Sequence, residues 1–185
     1  MTSVLQWALW AVLFTLAMSA VAKAVRRQSA AYTGAEVRHG TVVLVTGLVT
    51  GLPFLASAVA AAVFADKDRW VSLVFLAFSS LGAYLVWEWR IVRFRVVPEG
   101  FEYRTLLKGP GTARWADLVA ADYSPSMKWF TLTLRDGQVL RVSVMLLGLE
   151  PFIATLVAQA GHSIVPAARA TFEATASGQR PSIWQ

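Results

Sequence analysis

Residues 87–100 read W-E-W-R-I-V-R-F-R-V-V-P-E-G, and within them the period of the apolar residues changes. Before this stretch, Trp70 to Trp87 carries no charged residue. After it, Val92, Phe94 and Val96 alternate with Arg93, Arg95 and Val97, which is the two-residue period of a half-buried strand. Pro98-Glu99-Gly100 then turns the chain. The change divides the sequence into an apolar helical region, 1–89, a β-rich domain, 90–161, and a tail, 162–185.

Upstream, two further stretches lack charge, Val4 to Ala22 and Thr41 to Ala65. Helices of 18 to 25 residues reach roughly 27 to 37 Å, enough for a hydrocarbon core about 30 Å thick. The pattern therefore predicts three membrane spans, 4–22, 41–65 and 70–89, the second tilted or bent at Pro53. Composition agrees. Apolar residues make up 56% of the chain, charged residues 15%, and the mean hydropathy is +0.53. Soluble domains carry about 25% charged residues. Trp7, Trp10, Trp70, Trp87 and Trp89 lie near span ends, where an apolar ring with a polar N–H is favoured.

The formal net charge of +6 is explained by topology before nucleic acid is invoked. Lys23, Arg26, Arg27 and Arg38 face one acid, Glu36, in the loop 23–40, and Arg90, Arg93 and Arg95 follow the third span. Positive charge favours the cytoplasmic side. This predicts a multi-pass protein of the cell (inner) membrane, with its N-terminus outside and its domain in the cytoplasm. The competing reading is a signal peptide cleaved after Ala20-Val21-Ala22, against which residues 1–6 offer no basic n-region. In the second span, Gly47 and Gly51 form a GxxxG pair that suits close helix packing, against another span of the same chain or in a homo-oligomer.

Downstream, strands are expected over 92–97, 101–107, 112–115, 118–123, 128–135 and 138–144. Gly109-Pro110-Gly111 and Asp136-Gly137 read as turns, the latter as a two-residue hairpin loop. Leu149, Phe152, Ile153, Leu156, Val157 and Ala160 share one helical face, with Pro151 suited to the first turn and Gly161 to the stop. The tail is rich in Ala, Ser, Thr and Pro and reads as flexible, with a short helix around 167–176 as the alternative.

The stretches R-F-R-V-V-P-E-G-F-E-Y-R, A-R-W-A-D-L-V-A-A-D-Y and F-T-L-T-L-R-D-G-Q-V-L-R-V, with the closing helix, resemble the membrane-anchored bacterial pleckstrin-homology-like (PH-like) domain family. The resemblance spans residues 90–161. It implies an α+β membrane protein: three transmembrane helices, then a small bent antiparallel sheet or barrel capped by a C-terminal helix. The family's fold has seven strands, whereas six are read here. The resemblance further implies a non-enzymatic interaction role. The basic first-loop pattern of phosphoinositide-binding relatives does not match Pro98-Glu99-Gly100, so that activity is not carried over.

Searching for chemistry gives no catalytic, cofactor or metal residues. The absence of cysteine excludes disulfides and thiolate sites. His39 and His162 have no carboxylate at ligand spacing and read as solvated loop residues. No nucleotide-binding loop or nucleophile elbow is present. The expected partners are the lipid bilayer and a protein of unspecified identity, without nucleic acid. Arg90, Arg93 and Arg95 are candidates for headgroup contact. Two alternatives to a protein-interaction module stand beside it: an anionic-lipid surface sensor, and an accessory subunit or small transporter of an envelope complex.

Overall fold

The computed structural model describes residues 36–64 and 70–179, with isolated positions between 19 and 34 and Pro181. The chain divides into two compact units, Met1–Ala31 with Gly40–Val86, and Tyr32–His39 with Trp87–Gln185. The first expected span lies outside the described residues except for Ser19 and Ala20, as do the 66–69 turn and residues 182–185.

Two helices dominate the first unit. Helix α1 spans Thr41–Phe64, 24 residues, and α2 spans Trp70–Ile91, 22 residues, its last turn from Trp87 belonging to the second unit. Both are long and apolar enough to cross a membrane. Only 17% and 11% of their most apolar stretches are buried, whereas a soluble core helix of this composition would bury most of its surface. Val49, Leu52, Val63, Leu73 and Leu81 are all exposed. Helix α1 continues through Pro53.

The helices pack through glycine. A Cβ on Gly82 would lie 2.5 Å from the Gly51 Cα, and one on Gly47 would lie 2.9 Å from the Gly82 carbonyl oxygen. Small residues let the backbones approach this closely. Phe54 stacks on Phe78 one turn further along, with centroids 5.1 Å apart. The GxxxG face is thus occupied within the chain, against the expected third span.

The second unit holds two antiparallel sheets. Its strands are β1 Glu36–His39, β2 Arg93–Val97, β3 Gly100–Thr105, β4 Gly109–Arg114, β5 Leu118–Ser124, β6 Trp129–Leu134, β7 Val139–Ser143 and β8 Leu146–Leu147. The larger sheet has the order β4-β3-β2-β1-β8, the smaller β5-β6-β7. Strand β1 was not expected. It comes from the basic loop ahead of α1, yet it pairs with β2 on one side and β8 on the other. The domain boundary at residue 90 is therefore corrected: α1 and α2 are inserted between two neighbouring strands of one sheet. The sequence signal was short, since only four residues, E-V-R-H, alternate there.

Two turns are also corrected. Strand β3 ends at Thr105 and the turn falls at 106–108, so Gly109-Pro110-Gly111 is strand rather than turn. Pro110 is tolerated because β4 is an edge strand. The loop after β6 has three residues, Arg135-Asp136-Gly137: the Leu134 N–H donates to the Gln138 carbonyl at 2.8 Å, and Gly137 takes φ +81°. Asp136 Oδ1 accepts the Gln138 N–H at 2.9 Å. This is a turn followed by a left-handed bulge residue, the common three-residue hairpin.

Helix α3, Leu149–Ala160, covers the space between the sheets with Leu149, Phe152, Ile153 and Leu156. Phe101 meets Phe152 edge-on at 5.5 Å, and Trp115 lies 5.2 Å from Phe101. Each fully buried ring of this kind contributes about 1.5–3 kcal/mol. The expected flexible tail is ordered as far as Gln179. Ile164 bridges Ala121, the Ser163 hydroxyl donates to the Leu118 carbonyl at 2.6 Å, and helix α4 spans Arg169–Ala176. Phe172 is fully buried, edge-on to Phe130 at 4.7 Å. A single aromatic in an otherwise small, polar stretch gave too little periodicity to reveal this docking. Residues 162–179 therefore belong to the domain.

Candidate functional site: a charged groove on the larger sheet

Alternation along β1, β2 and β3 sends Val37, Phe94 and Tyr103 to the buried face. Their neighbours go outward, and the register aligns them in two rows. In one row Arg38 faces Arg93, and Arg93 faces Arg104. In the other Glu36 faces Arg95, Arg95 faces Glu102, and Glu102 faces Thr112. Glu36, Arg93, Arg95, Glu102, Arg104 and Thr112 of these rows line a groove of about 510 Å³, and Arg38 continues the first row outside it.

The rows differ electrostatically. Acid, arginine and acid alternate in the second, and opposite charges facing each other across strands are favourable. The first places three guanidinium groups in succession, and like charges in that position destabilise a sheet. Two contacts offset this. Arg93 Nη1 lies 3.9 Å from Glu36 Oε1, and the Arg38 guanidinium sits over the Tyr32 ring at 5.6 Å. Guanidinium groups offer paired N–H donors that match carboxylate or phosphate oxygens, so the groove can bind anionic groups in oriented fashion.

Of the three arginines singled out from sequence, Arg93 and Arg95 lie on this face, whereas Arg90 falls in the last turn of α2. Glu36 and Arg38 join them only because β1 is part of the sheet. Reading E-V-R-H as a strand would have supplied them. His39, expected to be a solvated loop residue, is buried at 7% exposure. Its Nε2 lies 3.8 Å from Glu88 Oε1, and its Nδ1 has no hydrogen-bond partner among the described residues. His162 is exposed. No group of three His, Asp or Glu side chains suited to a metal occurs among the described residues.

Comparison of the chain with family models, with curated proteins and with solved structures gave no match. The class defined by fold and site is thus an α+β chain with two long apolar helices inserted in an antiparallel β domain.

Proposed function

We propose that this chain is a non-enzymatic integral membrane protein that presents a PH-like domain at the cytoplasmic face of the cell membrane to a protein partner. The observation that carries the reading is the insertion of α1 and α2 between β1 and β2. A domain held at two adjacent strands is fixed more closely than one on a single tether. It also requires both ends of the helical pair to return to the same side, which agrees with the positive charge of 23–40 and of 90–95. With 4–22 as a further span, the N-terminus lies outside.

The partner-facing surface is the groove. Its alternating Glu36, Arg95 and Glu102 suit a protein of complementary charge pattern, which would gain orientation and register more than bulk affinity. Photo-crosslinking from residue 112 in native membranes tests this. A protein captured by the unmodified chain, and lost when Arg95→Glu reverses the central charge without lowering the thermal midpoint, is the expected result. Capture that is indifferent to Arg95→Glu would overturn the groove as the docking surface. The row Arg38, Arg93 and Arg104 favours a second, lipid-directed property.

A further inference from the structure

One end of the larger sheet brings Arg93 and Arg104, at one side of the groove, together with features that lie outside it. Strand β1 ends at His39 and the chain passes through Gly40 into α1. Helix α2 ends at Ile91 and the chain passes through Val92 into β2. Since β3 is antiparallel to β2, β3 finishes at this same end, and the 106–108 turn projects from it. The arginine row Arg38, Arg93 and Arg104 lies across the three strand ends. Beyond it the turn carries Lys108 and Leu107, the latter 90% exposed. Among the described residues, the one carboxylate paired with any of these four cations is Glu36, with Arg93.

We propose that this end of the domain is a seat on an anionic bilayer surface: Leu107 enters the interfacial layer, while Arg38, Arg93, Arg104 and Lys108 hold lipid phosphates. The proposal rests on the reading that α1 and α2 span the bilayer. Three observations select lipid over a soluble anion. The patch lies at the end where the chain passes into its two apolar helices. Its charge complements anionic headgroups, which attract basic residues lying within a Debye length of the surface. A leucine bare to water at a hairpin tip, with Lys108 next to it, matches an interface that is apolar beneath and negative above. Guanidinium groups facing one another across strands are then relieved by the phosphates they share.

The chain contains no cysteine, so single-cysteine variants can be labelled without background. Full-length Leu107→Cys, carrying an environment-sensitive fluorophore, is placed in nanodiscs of phosphatidylcholine with or without phosphatidylglycerol. Val119→Cys, exposed on the smaller sheet, is the control. The expected result is a blue shift and loss of aqueous quenching at position 107 in phosphatidylglycerol discs, with the control unchanged. Arg38→Gln with Arg104→Gln, or high salt, should reverse the shift while the thermal midpoint holds. A label at 107 that stays equally open to aqueous quencher in both discs overturns the seat. Equal shielding in both overturns the role of the arginine row. Resistance to alkaline carbonate extraction reports on the helices separately: a resistant chain with an exposed position 107 keeps the spanning reading and loses the seat.

Discussion

Phe172 and Tyr123 both lie beside Phe130, and they illustrate opposite uses of an aromatic side chain. Phe172 is fully buried and edge-on to Phe130, anchoring a segment whose other residues are mostly small or polar. Phe172→Ala should cost about 3–5 kcal/mol, because the cavity adds to the lost transfer energy. Chemical denaturation of the domain measures this, and a cost near zero would mean that the segment does not dock. Tyr123 packs on Phe130 at 5.1 Å, but its hydroxyl is buried without a hydrogen-bond partner among the described residues. Burial raises its pKa above 10.0. On unfolding the phenol returns to its ordinary value, so the unfolded chain ionises first as pH rises. Stability is then lost above pH 10.0 until the folded phenol also ionises. Tyr123→Phe should leave stability at neutral pH unchanged or higher, and should flatten the alkaline decline. Thermal midpoints across that range provide the check, and a steeper decline in the variant would contradict it.

At the scale of elements, β1 is a strand of only four residues with a large consequence. Its four residues pair with β2 and β8, and Val37 sits 1% exposed in the core. Val37→Asp would bury a carboxylate with no partner, a penalty of several kcal/mol. That is a large share of the total stability of a domain this size. The domain is expected to lose its cooperative thermal transition, whereas Arg38→Ala, on the exposed face of the same strand, should change stability by less than about 0.5 kcal/mol. Near-UV circular dichroism of the two variants distinguishes them. Equal behaviour would show that β1 is dispensable to the core. The same strand explains the site, since Glu36 reaches the groove, and Arg38 joins the arginine row, only through its register with β2.

For the whole molecule, the interrupted domain makes a sharp expectation about boundaries. A chain limited to residues 90–161 lacks β1 and the Phe172 segment, and it should be insoluble or molten. Joining 32–39 to 92–179 through a loop of about two to five residues should restore a cooperative, soluble fold. The joint is feasible because Arg38 and Arg93 face each other in the sheet. Size-exclusion chromatography with thermal melts compares the two, and a well-folded 90–161 chain would refute the interrupted architecture. If the joined domain folds, the two helices act as an anchor and are not needed for its core.

Local patterns determined a great deal. The uncharged runs 41–65 and 70–87 anticipate the two long apolar helices. Alternation anticipates β2, β6 and β7, and the 3.6-residue period anticipates α3, because each signal lies within one continuous segment. Tertiary structure alone decided the rest. That β1 belongs to the sheet, that Phe172 closes the core, and that Arg38, Arg93 and Arg104 form one row all depend on pairing between distant segments. Four alternating residues or one aromatic are too little to declare a partner. Their free energy comes from ladders and burial completed by residues about forty or more positions away, so the information exists only once the chain has folded.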